Sequence, residues 1–227
     1  MTSPFLTSPL EHAWRAFDAS VVENDAGWRV PESFAGAAVE LRAARERAVL
    51  GDDTPRGKVL VQGDGLTPII RHALGEPPDD VGQVAQLGDI EIVRLRSDLC
   101  HVGTTAPGRA AVLAELAAAG RDAPVTITDV THGRFELRLV GPSAPVLLSK
   151  VCGIDFHGSV FSTGHARETS VARTKQLVIR VDLGELPAYR LIGGRALGAY
   201  VWDTLMVAGT DLGVEPIGAA ALLTLAG

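Results

Sequence analysis

Gly57-Lys58-Val59-Leu60-Val61-Gln62-Gly63 and Gly133-Arg134-Phe135-Glu136-Leu137-Arg138-Leu139-Val140-Gly141 are two copies of one local pattern, and their repetition decides the fold. Each is a strand-like run closed by glycine, and each is preceded by an aspartate and a threonine: Asp52 and Thr54 in one copy, Asp129 and Thr131 in the other. In the second copy Phe135, Leu137 and Leu139 alternate with Arg134, Glu136 and Arg138. A period of two sends successive side chains to opposite faces, so the apolar set is expected to be buried and the polar set wet, as in an antiparallel sheet. A helical run follows each strand, Leu66 to Leu74 ending at Gly75 and Ala144 to Cys152 ending at Gly153, where a glycine suits a helix C-terminus.

The repetition continues outward. Leu99 to Val102 leads into a predicted helix from Pro107 to Ala119 closed by Gly120, and Tyr189 to Ile192 leads into one from Arg195 to Ala208 closed by Gly209. Leu113 and Leu116 in the first correspond to Trp202 and Leu205 in the second. A further helix is expected over residues 35 to 49, with Ala38, Leu41, Ala44 and Ala48 on one face. The expectation is an α+β fold of duplicated strand-helix halves with antiparallel sheets. Residues 1-227 then form one domain whose halves, about 52-120 and 129-209, are related by a pseudo-two-fold axis.

Composition narrows the function classes. The 227 residues are 46% hydrophobic and 21% charged, which is ordinary for a globular chain large enough to bury its own core. A net charge of −6 leaves no basic excess to neutralise phosphates, so nucleic acid and anionic membrane surfaces are not expected partners. The apolar runs are far shorter than the roughly 20 residues that span a bilayer, and Met1 to Phe5 has no signal-peptide pattern. A cytoplasmic protein is expected. Cys100 and Cys152 both lie in apolar surroundings, where small buried thiols occur, and are expected to be reduced. His132, His157 and His165 show no metal-ligand spacing, so no metal is expected. There is no Gly-x-Ser-x-Gly elbow, and Gly193 to Gly198 lacks the spacing of a dinucleotide loop.

The order of signals resembles a known superfamily, that of the glycine cleavage T-protein and the gamma subunit of heterotetrameric sarcosine oxidase. Ser8-Pro9-Leu10-Glu11-His12 is similar to the opening of both, and Glu40 to Glu46 followed by Asp52, Thr54, Gly57 and Lys58 looks like a T-protein. Asp129-Val130-Thr131, Leu139 to Ala144, Leu148 to His157, Thr169, Ala172-Arg173, Tyr189-Arg190-Leu191 and Tyr200-Val201-Trp202 resemble the gamma subunit more closely. Gly213 to Gly218 again looks like a T-protein.

The resemblance implies a T-protein-like folate-binding domain, with tetrahydrofolate as its ligand, held weakly or no longer held. It implies Asp89 as the catalytic carboxylate, matched to one member of the family's Asp-Asp pair while Gly88 occupies the other place; a turn aspartate at a strand start explains the same residue. It implies Gly184 and Glu185 as a pterin-binding pair, since a carboxylate can accept from a pterin's amino group and ring N–H; a solvated hairpin over Asp182 to Pro187 explains them as well. Two departures stand out. The family continues into a small C-terminal β-domain, whereas this sequence stops at Gly227, and the helix after Gly218 reads Ala-Ala-Ala-Leu-Leu-Thr-Leu where the family carries polar residues. Two functions follow from the resemblance. One is a gamma-type, non-catalytic subunit beside larger flavoprotein subunits of an N-methyl amine oxidase in folate-linked one-carbon metabolism. The other is a stand-alone tetrahydrofolate-dependent methyl or aminomethyl transferase acting on a small amine.

Overall fold

A computed structural model describes residues 5–226. The N-terminal elements are β1 (Leu6–Thr7), α1 (Glu11–Arg15), β2 (Ser20–Glu23), β3 (Trp28–Ser33) and α2 (Ala37–Glu46). The expected helix over 35 to 49 is shorter than its apolar spacing suggested. It ends at Glu46, Val49 begins strand β4 (Val49–Asp52), and Ala48, Val49 and Leu50 pass into the core.

The first repeat follows as β5 (Gly57–Gln62), α3 (Leu66–Ala73), β6 (Val84–Leu87), β7 (Ile90–Arg96), β8 (Leu99–Thr104), α4 (Arg109–Ala119) and β9 (Thr126–Asp129). The second is β10 (Arg134–Val140), α5 (Ala144–Val151), β11 (His165–Val171), β12 (Thr174–Arg180), β13 (Ala188–Gly194) and α6 (Gly198–Ala208). Strand β14 (Glu215–Ile217) and α7 (Ala219–Ala226) close the described chain. One sheet runs β6-β7-β8-β5-β9 and another β11-β12-β13-β10-β4-β14. Strand for strand, the order matches with β5 opposite β10, β8 opposite β13 and β9 opposite β4; β5 and β10 lead into α3 and α5, and β8 and β13 into α4 and α6. Pairing is antiparallel except where β14 joins β4 and β1 joins β3.

Hydrogen bonds show the same correspondence. Asp52 Oδ1 accepts from the Thr54 amide at 3.0 Å, and Asp129 Oδ1 accepts from the Thr131 amide at 2.9 Å. The two hydroxyls then reach across: Thr54 Oγ1 accepts from the Glu136 amide and Thr131 Oγ1 from the Lys58 amide. This register makes Lys58 the counterpart of Glu136, and Gly63 that of Gly141. Both glycines have positive φ, +134° and +124°, and a Cβ at either would lie within 2.4 Å of a carbonyl oxygen, so neither place admits a side chain. Gly133, by contrast, lies in a short 3-10 turn and is not the partner of Gly57.

One expectation is overturned. The polar face of β10 is not wet: Glu136 and Arg138 are as buried as Phe135, Leu137 and Leu139. The two large sheets cover each other's second faces, and charged residues meet between them. Lys58 on β5 pairs with Glu136 on β10, and Glu91 on β7 pairs with Arg190 on β13. The apolar faces turn outward against helices, with Leu66, Ile70, Val112 and Leu116 over one sheet and Leu147, Leu148, Trp202 and Leu205 over the other. Cys100 and Cys152 are unbridged and belong to different core clusters.

Candidate functional site

The centre of the molecule is a buried ionic network. Lys58 Nζ lies 3.1 Å from Glu136 Oε2 and donates to the Thr54 and Arg56 carbonyls. Glu136 Oε1 faces Arg56 Nε at 3.4 Å and Arg190 Nε at 3.5 Å, and Arg190 also pairs with Glu91. Burial favours the neutral form of Glu136, but Lys58, Arg56 and Arg190 outweigh it and hold the carboxyl below its ordinary range. Lys58 is shifted the other way for an ammonium, downward, because burial outweighs attraction to Glu136. His101 is buried and pushed down to about 4, by desolvation against the opposing pull of Glu91 and Glu136, so it is neutral at pH 7.

A cavity of about 770 Å³ opens against this network. Asp52 ends β4, Asp53 and Arg56 come from the turn before β5, Gln86 from β6, Gly88 and Asp89 from the β6–β7 turn, and Arg138 and Arg190 from β10 and β13. Helix α7 forms an apolar wall through Ala219, Leu222, Leu223 and Ala226. That helix is anchored by Glu40, whose Oε2 accepts from the Gly218 amide at 2.8 Å while Oε1 accepts from the Ser33 hydroxyl and the Phe34 and Ala35 amides. Burial raises the Glu40 pKa, but these hydrogen bonds win and its net shift is downward.

The carboxylates differ in availability. Asp52 is buried and accepts from Trp14 Nε1 at 3.0 Å, and desolvation raises its pKa against its hydrogen bonds. Asp53 pairs with Arg56. Asp89 is exposed at the cavity and has no ion-pair or hydrogen-bond partner among the described residues. Gly184 and Glu185 lie elsewhere: they form the exposed tip of a tight turn in which the Leu183 and Leu186 amides and carbonyls bond reciprocally at 3.0 and 3.1 Å. Leu183 lines the cavity, but Glu185 does not. The structure therefore brings Asp89 and Gly88 to the cavity without Glu185.

Arg56, Arg138 and Arg190 line the cavity, and sequence reasoning gave none of them a site role. A second cavity, of about 310 Å³, is lined by His101 and Gln176, whose Nε2 and Oε1 atoms are buried without partners. The histidines do not converge: His157 bonds Ser159 and His165 bonds Ser162, while His132 stacks on Trp28. Among the described residues no group of three or more His, Cys, Asp or Glu side chains could hold a metal, and no helix is long and apolar enough to cross a membrane.

The GCVT N-terminal domain family matches residues 10–226. This chain belongs to that family. It is 27% identical to an aminomethyltransferase of Saccharopolyspora erythraea over 237 residues, covering 99% of this chain and 64% of that protein. It is 34% identical to a sarcosine oxidase subunit gamma of a Corynebacterium species over 131 residues, covering 56% of this chain and 63% of the subunit. The chain thus spans less than two thirds of the length of these relatives. In fold it is similar to the aminomethyltransferase T of the Bartonella henselae glycine cleavage system, with a TM-score of 0.84 over 98% of this chain, 62% of that chain and 20% identity. A chain of the heterotetrameric sarcosine oxidase from Corynebacterium sp. U-96 gives 0.66 over 78% of this chain, 92% of that chain and 24% identity. The duplicated α+β fold expected from the repeats is the fold of this family.

Proposed function

We propose that this chain is a gamma-type, non-catalytic subunit of a sarcosine-oxidase-like N-methyl amine oxidase, docking beside larger flavoprotein subunits in folate-linked one-carbon metabolism. The observation that carries this reading is the apolar face that α7 presents to the cavity, together with a Glu185 carboxylate that is not among the cavity's lining residues. A pterin held there would find no hydrogen-bond partner on the α7 wall, where Leu222 and Leu223 stand. Unpaired polar groups cost about 1–3 kcal/mol each. Losing two or three contacts weakens binding by roughly two to four orders of magnitude, at about 1.4 kcal/mol per tenfold. The likeness to a sarcosine oxidase subunit gamma supports the same reading.

Asp89 favours a second reading, a stand-alone T-protein-like transferase moving a methyl or aminomethyl carbon between a small amine and tetrahydrofolate. Its carboxylate has no partner among the described residues, lines the cavity and suits a proton acceptor. Mixing the purified chain with the larger flavoprotein subunits of a sarcosine-oxidase-like enzyme discriminates the two. A stable assembly that oxidises an N-methyl amine supports the subunit reading. Transfer activity of the chain alone, lost in Asp89→Asn, supports the transferase.

A further inference from the structure

A guanidinium stays protonated at neutral pH and carries five N–H donors, so a buried one normally has a carboxylate or several carbonyls around it. Arg190 and Arg56 meet that demand through Glu91, Glu136 and Asp53. Arg138 does not. It is 4% exposed, its Nη2 donates to the Val181 carbonyl across 3.4 Å, its Nη1 has no partner, and no carboxylate pairs with it among the described residues. Burial, and then the neighbouring Arg190, disfavour its charge and push its pKa down to about 9, which still leaves it cationic at neutral pH. A charge in that position is costly unless something anionic completes it.

The cavity that Arg138 lines shows what that is. Arg138 is among its lining residues, one wall is the apolar face of α7, and Asp25, Asp52, Asp53 and Asp89 line it as well. The apolar wall calls for an organic body. The acids oppose a multiply charged phosphate. A guanidinium fork matches the two oxygens of a carboxylate. We propose that this cavity binds a small organic monocarboxylate, with the carboxylate on Arg138 and the apolar body against Leu222, Leu223 and Ala226. This goes beyond the subunit reading and does not depend on it, since the ligand needs no pterin and no partner chain.

Calorimetric titration of the full chain with benzoate and with its neutral counterpart benzamide tests the assignment, using wild type, Arg138→Met and Arg138→Lys. Wild type should bind benzoate saturably and benzamide at least about tenfold more weakly, as expected for loss of a charge-assisted pair. Arg138→Met should abolish the discrimination, and Arg138→Lys should keep part of it. The ligand-free melting temperature of Arg138→Met should not fall, because the change removes an unpaired buried charge. Equal affinity for the two probes in wild type, no saturable benzoate binding, or unchanged benzoate affinity in a folded Arg138→Met would each overturn the proposal. Should Arg138→Met not fold, the wild-type comparison with benzamide and the Arg138→Lys titration decide it.

Discussion

Lys58 Nζ and Glu136 Oε2 are 3.1 Å apart in the buried centre of the protein, and the two residues hold corresponding places in the two repeated strands. The duplicated strands thus meet through a pair of opposite charge. Breaking a buried pair from one side leaves an uncompensated charge and costs about 3–5 kcal/mol. Glu136→Leu leaves Lys58 without its carboxylate, while Arg56 keeps Asp53 and Arg190 keeps Glu91, and should destabilise by that amount. Lys58→Met with Glu136→Leu should recover much of the loss. Urea unfolding of the two single variants and the double variant measures the coupling; additive losses would contradict it.

We propose that residues 52-120 and 129-209 superpose by a two-fold rotation, and Thr54 and Thr131 give a solution test. Each buried hydroxyl accepts the backbone amide of the opposite repeat, Glu136 at 3.2 Å and Lys58 at 2.9 Å. Thr54→Val and Thr131→Val each strand one buried donor, for a cost of about 1–3 kcal/mol. The two losses should be alike within error. A large loss at one place and none at the other would show that the halves are not equivalent.

His101 predicts a pH dependence. Its folded pKa of about 4 lies below the ordinary 6.5, so between those values the unfolded chain binds the proton that the folded chain refuses. Stability is therefore complete above pH 6.5 and falls as the pH drops toward 4, by about 3 kcal/mol for this group. His101→Leu, which also removes an unpartnered Nε2, should flatten that window in unfolding curves. An unchanged slope would show that other groups carry it.

Cys100 is buried in the β5–β8 sheet core, and desolvation lifts its thiol to about 11, opposed by Arg94. A thiol reagent should find two free groups after denaturation without reductant and should leave Cys100 unmodified in the native protein. Finding no thiols would mean that a bridge forms between clusters the structure keeps separate.

The fold was legible because repetition survives where individual motifs do not. The Asp-x-Thr turns at Asp52 and Asp129 and the closing Gly63 and Gly141 are short-range signals, and their order carried the duplication. The site was less legible. Alternation in Phe135 to Val140 separates two faces but is silent about what covers the second one. Glu136 and Arg138 therefore read as solvated although a second sheet lies over them. Lys58, Glu91 and Arg190 are distant in sequence and form one network through strand register within each sheet and the packing of the two sheets face to face. The apolar sequence of α7 was readable, but its place as a cavity wall depends on Glu40 holding the Gly218 amide.

Tetrahydrofolate titration of the isolated chain tests the subunit reading most directly. With Glu185 outside the cavity lining and only apolar α7 side chains lining it, the subunit reading predicts weak binding or none and no transfer activity, and the same titration for Glu185→Ala as for wild type. Low-micromolar or tighter binding that Glu185→Ala abolishes would contradict it and make the chain a folate-dependent transferase.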